Sequence, residues 1–206
     1  MTWDEVLETL PLIAILRGVT PETVVDTATA LFEAGFRCVE VTLNSPRPLE
    51  SIAALARRLG EVMLVGAGTV LDAASVHAAA AAGARLIISP NVDPAVIAAT
   101  KALQLVSVPA VFTPTEAFAA LAAGADALKL FPAEALSPAA LTAMRAVLPR
   151  EVPLIPVGGI AVEFLAPWRA AGAAGFGIGG AIFKPGLSSD DVRRRAAAFA
   201  AAWREI

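Results

Sequence analysis

The segment "CVEVTLNSPRPLESIAALARRLGEVMLVGAGTV", residues 38–70, decides the fold. It opens on "CVEVTL" (38–43), an apolar run of strand length. It continues through "SPRPLESIAALARRLG" (45–60), an amphipathic helical run, and closes on "MLVGAGTV" (63–70), a second strand. A strand, a helix and a strand at this spacing form a βαβ unit, which implies a parallel sheet. The same alternation extends in both directions. Further strands are expected at "LIAILRG" (12–18), "RLIISP" (85–90), "LVSVPAV" (105–111), "ALKLFP" (127–132), "LIPVGG" (154–159) and "GFGIGGAI" (175–182). Helical runs lie between them, including "PETVVDTATALFEAG" (21–35), "DAASVHAAAAAG" (72–83) and "TPTEAFAALAAG" (113–124). Many end on Gly, the residue suited to a left-handed cap, and several begin just after Ser, Thr or Asp.

About eight such units, with a short helix ahead of the first strand, predict a single α/β domain over residues 1–206: a (β/α)8 TIM barrel near its minimum length. The rival is a doubly wound open sheet. Its dinucleotide fingerprint is missing after the first strand, where the chain reads "RGVTPE". No linker or second domain is visible.

Composition narrows the function. Hydrophobic residues make up 57% of the 206, yet no apolar run is long enough to span a bilayer. A net charge of −3 without a basic cluster in the body argues against nucleic acid. Cys38 is the only cysteine, so neither an intrachain disulfide nor a cysteine zinc site can form. His77, the only histidine, lies in an Ala-rich helical run and reads as structural. "MTWDEVLETL" has no basic region followed by an apolar core, so a cytoplasmic enzyme or binding protein is expected.

In a barrel of this kind the site lies at the C-terminal ends of the strands. There the chain places Lys129, one of only three lysines, in the otherwise apolar "DALKLFPAE" (126–134). Alternation puts Ala127, Lys129 and Phe131 on one face and Leu128 and Leu130 on the other. If the leucines face the helices, Lys129 points into the barrel. Burial favours its neutral amine, the form that attacks a ketone to make a Schiff base. The structural alternative is a lysine that snorkels to the strand end or pairs with Glu40. Glu40 shares a face with Cys38 and Thr42 and reads as a proton shuttle, or as a plain charge partner of Lys129. Arg17 ends the first strand on the face of Ile13 and Ile15, and an inward guanidinium there suits a substrate carboxylate, unless it is simply a surface arginine. Thr69 closes "GAGTV", where Gly66 and Gly68 thin the wall for a ligand or serve packing alone. Gly158, Gly159, Gly179 and Gly180, after strands seven and eight, read as a phosphate cradle. No acidic or histidine cluster suggests a metal, so no metal and no cofactor are expected, and imine chemistry is favoured. "DDVRRR" (190–195) reads as a solvated helix face.

Together, "PLIAILRG", "GFRCVEVTLNSP", "VGAGTVL", "LIISPN", "TEAFAALAAGADALKLFPAE", "VGGI" and "GFGIGG" resemble, over essentially the whole chain, the bacterial 2-keto-3-deoxy-6-phosphogluconate/6-phosphogalactonate aldolases. The resemblance implies a class I aldolase that cleaves a phosphorylated six-carbon keto sugar acid to pyruvate and glyceraldehyde 3-phosphate. It implies Lys129 as the Schiff-base lysine and Glu40 as the general acid/base. Arg17, Thr69 and Pro90 would bind the pyruvate end, and Val157, Gly158, Gly159, Gly179, Gly180 and Ala181 the rest of the substrate with its phosphate. A homotrimer is implied as well. Val157, where gluconate-type relatives tend to carry Thr, points to the galactonate epimer; the gluconate epimer or dual specificity is the alternative. One stretch departs from the family pattern: "SVPAVFTPTE" (107–116), where Ala110, Val111 and Phe112 are expected to make a bulkier pocket wall. Two other functions fit the residues. One is a phosphate-binding barrel isomerase, epimerase or synthase with Lys129 as an electrostatic group; the other is a non-catalytic sensor of a phosphorylated sugar acid.

Overall fold

Every expected strand forms in the structure, a computed structural model that describes residues 1–206. The chain opens with α1 (Trp3–Thr9), started by a capping box in which Thr2 accepts from the Glu5 N–H while the Glu5 carboxylate accepts from the Thr2 N–H. Strands and helices then alternate: β1 (Leu12–Leu16), α2 (Val24–Glu33), β2 (Cys38–Thr42), α3 (Pro48–Leu59), β3 (Leu64–Gly68), α4 (Ala73–Ala81), β4 (Leu86–Ile88) and α5 (Pro94–Ala102). They continue as β5 (Val106–Val108), β6 (Ala110–Val111), α6 (Pro114–Ala122), β7 (Leu128–Leu130), α7 (Pro138–Arg145), β8 (Leu154–Pro156), α8 (Leu165–Ala170), β9 (Phe176–Ile178) and α9 (Ser189–Arg204). Side-chain caps at Asp72, Asp93, Thr113, Ser137 and Ser188 start five of the helices. The left-handed glycines Gly83 and Gly124 follow α4 and α6.

All strand pairs are parallel, as the βαβ pattern requires, and they form a curled α/β assembly of two sheets. One sheet has the order β5-β4-β3-β2-β1-β9, and the other β6-β7-β8. The division differs from eight uninterrupted strands in one place. The expected fifth strand breaks at Pro109, which has no N–H to donate, into β5 on the β4 side and β6 on the β7 side. Between β8 and β9 the pairing narrows to one parallel bridge, Val157 to Gly177, in the glycine-rich run.

Burial separates two compartments. A cluster of 46 buried residues, with Leu128 and Leu130 among them, lies between strands and helices. A second cluster of 12 fills the inside of the curled sheets; it holds Ile13, Ile15, Cys38, Leu64, Ile88, Val108, Ala127, Ile155 and Val157, with Trp3 and Val6 of α1 at its base. Glu40 and Lys129 open into this second compartment. No helix is long and apolar enough to cross a membrane. His77 is exposed on α4, and in "DDVRRR" Arg193 pairs with Asp190 and with Glu33 of α2, while Arg194 pairs with Asp191.

Candidate active site

Strand alternation places Lys129 as expected. Its neighbours Leu128 and Leu130 are fully buried against the helices, while Lys129 lies inward at 6% exposure. Glu40 reaches the same interior from β2 at 1% exposure. The two residues share a small cavity of about 10 Å³, lined also by Ile13, Ile15, Ile88, Val108, Ile155, Val157 and Gly177. Around them the walls are aliphatic, so both charged forms lose solvation. Burial lowers the Lys129 pKa from its ordinary value; the Glu40 charge opposes this, and the Arg17 charge adds to it. Burial raises Glu40 to about 7, against the pull of Lys129 and Arg17. Both groups are therefore driven toward their neutral forms. No ion pair joins them: the seven ion pairs of the chain lie elsewhere. Phe131 adds an aromatic face, its ring centroid 4.7 Å from Lys129 Nζ, which favours any cation formed at that nitrogen.

Above this pair opens a cleft of about 440 Å³, lined by Ile15, Arg17, Phe131, Val157 to Ala161, Gly177 and Gly179 to Ala181. Arg17 stands at the rim, exposed rather than inward, because its Nη1 donates to Asn44 Oδ1 at 2.9 Å in the loop after β2. Gly18 N–H donates to Ser45 Oγ at 2.9 Å, so the two loops are tied beside the guanidinium. Gly158 and Gly159 take φ of +105° and +64°, conformations that favour glycine. The N–H groups of Gly158, Gly159, Gly179, Gly180 and Ala181 donate no hydrogen bond within the chain. Free backbone donors converging on a concave surface make an anion site. Val157, 7% exposed, spans both levels, with its methyl carbons over Gly177, whose added Cβ would meet Val157 Cγ2 at 2.6 Å.

Other expectations change in the structure. Thr69 and Pro90 sit at the ends of β3 and β4 but line neither the cleft nor the inner cavity. Thr69 does adopt φ +59°, an uncommon conformation for a β-branched residue. The wall is not thinned for a ligand at Gly68, because the Glu40 carboxylate occupies the space a side chain would take. Nor do Ala110, Val111 and Phe112 form a pocket wall. Ala110 is the register partner of Lys129, Val111 packs toward the helices, and Phe112 is 42% exposed. Asn44 and Phe131 belong to the site without having been assigned a role from sequence. Phe131 was visible in the strand parity, whereas the partner of Arg17 depends on how two loops meet.

Comparison with known proteins agrees on one family. Residues 3–196 match the family model described as KDPG and KHG aldolase. The chain is 49% identical over 196 residues to a probable 2-dehydro-3-deoxy-6-phosphogalactonate aldolase of Rhizobium meliloti (strain 1021), covering 95% of this chain and 92% of the relative. It is 44% identical to the 2-dehydro-3-deoxy-6-phosphogalactonate aldolase of Escherichia coli (strain K12), covering 95% and 96%. A solved structure described as "Native KDPGal structure" superposes with a TM-score of 0.94 at 44% identity, covering 95% of each chain.

Proposed function

The chain belongs to the KDPG and KHG aldolase family, and from that membership we propose that it is a class I aldolase that reversibly cleaves 2-dehydro-3-deoxy-6-phosphogalactonate to pyruvate and glyceraldehyde 3-phosphate. The observation that carries the reading is the buried Lys129 amine sharing an aliphatic cavity with Glu40, directly beneath a cleft of free backbone donors. The neutral Lys129 amine adds to the C2 ketone, a proton passes from nitrogen to oxygen, and the hydroxyl leaves as water with one proton taken up from solvent, giving an iminium. The Glu40 carboxylate then takes the C4 hydroxyl proton. As the C3–C4 bond breaks, its electrons move to the iminium, releasing the aldehyde and leaving an enamine. Protonation of the enamine carbon and hydrolysis of the imine return pyruvate and the free amine. A carboxyl group that titrates at about 7 can both accept and return a proton near neutral pH.

In this reading Arg17, at the rim of the cleft, holds the pyruvate-derived carboxylate. The N–H groups of Gly158, Gly159, Gly179, Gly180 and Ala181 receive the phosphate, and Val157 faces the carbon chain between. The reaction requires neither metal nor cofactor. The two sheets are read as one (β/α)8 barrel domain over residues 1–206, with β5 and β6 as halves of one strand and the Val157–Gly177 bridge as the seam. The chain acts as a cytoplasmic homotrimer, and exposed apolar residues such as Leu71, Phe112 and Phe118 are available for subunit contact. The test is pyruvate release from the two C4-epimeric 2-keto-3-deoxy-6-phospho acids. Higher kcat/KM on the galactonate epimer, abolished in Lys129→Ala, is expected. Preference for the gluconate epimer overturns the substrate assignment, and full activity in Lys129→Ala overturns the mechanism.

A further inference from the structure

We infer that Gly68, the last residue of β3, fixes where the Glu40 carboxylate exchanges its proton; the inference rests on the acid–base role proposed for Glu40. A buried carboxylate is ordinarily located by its hydrogen-bond donors, because an unpaired buried polar group is costly. Glu40 has none: its side chain makes no hydrogen bond, and Oε2 is buried without a partner. Packing must therefore hold it, and the surface it packs on is Gly68. A Cβ built at Gly68 would lie 2.6 Å from the Glu40 carboxyl carbon, 2.6 Å from Oε2 and 2.8 Å from Oε1. All three nearest atoms belong to that one group.

Neither conformation nor general barrel packing explains the glycine. Gly68 is not in the left-handed region, so any residue could adopt its backbone. Gly66, two residues earlier, shows the contrast: a Cβ there would meet the Leu86 carbonyl oxygen at 2.9 Å and Leu86 side-chain carbons, which is sheet packing. Glycine weakens a strand interior, and its usual justification is a close approach by another group. At Gly68 the approaching group is the proton carrier. The pairing of Thr42 with Gly68 in the β2–β3 register brings the two strands to this contact. Resting on a bare backbone, the carboxylate keeps both oxygens free of protein donors while its position stays fixed.

A methyl group at position 68 must restore ordinary contact of about 3.5 Å, so it pushes the carboxylate away by about 1 Å. Misplacing a catalytic group by that much costs on the order of 10²-fold in rate. The experiment compares full-length Gly68→Ala, Glu40→Asp and the double variant, measuring kcat and KM on the phosphorylated substrate and borohydride capture of pyruvate at Lys129. Gly68→Ala is expected to lower kcat about 10²-fold, with KM within a few-fold and capture intact. The shorter aspartate leaves room for the methyl, so the double variant is expected to turn over at least tenfold faster than the product of the single effects allows. Wild-type kcat in Gly68→Ala, or a double variant at or below that product, overturns the inference. If Gly68→Ala alone loses capture, its return in the double variant supports the contact and its absence overturns it. Near-normal turnover in Glu40→Gln is a separate outcome that removes the acid–base reading itself.

Discussion

Replacing Glu40 by Gln should make the protein more stable at neutral pH and change it little in acid. Glutamine has nearly the shape of the protonated acid, so at low pH the two side chains are close to interchangeable in the aliphatic cavity. As pH rises above 4.5, the ordinary value, the unfolded chain releases the Glu40 proton while the folded chain retains it up to about 7. In that window the native state binds more protons than the unfolded state, so wild-type stability falls with increasing pH and levels off above about 7. From 4.5 to about 7, at about 1.4 kcal/mol per pH unit, the loss is about 3 kcal/mol. Against a total stability of about 5–15 kcal/mol this is readily measured. Urea unfolding of wild type and Glu40→Gln at fixed protein concentration, from pH 4 to pH 8, reads the effect of Glu40 together with its coupling to Lys129, because titrating groups that do not interact with Glu40 cancel in the difference. The difference should grow in favour of the glutamine variant by about 3 kcal/mol and then plateau. A pH-independent difference would falsify the claim that Glu40 is buried without a compensating partner, as would one favouring wild type at pH 8.

Catalysis should carry the same titration: log(kcat/KM) should rise with pH up to about 7 as Glu40 becomes the base, and this limb should vanish in Glu40→Gln, whose residual rate falls by about 10²–10⁴-fold. Gly158→Ala should raise KM for the phosphorylated substrate far more than it affects pyruvate capture, since φ +105° strains any L side chain and disturbs the anion turn; equal loss of both would remove the cradle from the account. Val157→Thr should move the ratio of kcat/KM toward the gluconate epimer by about tenfold or more, because a hydroxyl placed at this wall can pair with a substrate hydroxyl of the other configuration; an unmoved ratio in assays of both epimers contradicts that assignment.

The parts of the site that depend on strand alternation were legible in the sequence. Lys129 between two leucines, and Glu40 between two valines, could face only one way once a parallel sheet was inferred, and both lie inward. The glycine pairs were legible because they fall at strand ends, where a barrel of this class builds its site. Contacts between segments distant in sequence were not. Arg17 was expected inward from its parity with Ile13 and Ile15, but β1 has ended by residue 17, and Asn44, 27 residues on, holds the guanidinium at the rim. Gly68 could be recognised as a glycine in a strand, yet the group above it follows only from the β2–β3 register. The wall expected at "PAVF" from its departure from the family pattern does not form either, since Pro109 interrupts the strand and Phe112 lies beyond its end, out in solvent.

If Lys129 is buried in order to be a neutral nucleophile, pyruvate should be captured covalently on that residue. The enzyme is incubated with pyruvate, reduced with borohydride, digested and mapped by mass spectrometry. Inactivation is expected, with one reduced pyruvyl adduct, on Lys129, and no loss of activity in borohydride alone. An adduct on Lys101 or Lys184, or an enzyme that keeps full activity and carries no adduct, contradicts it.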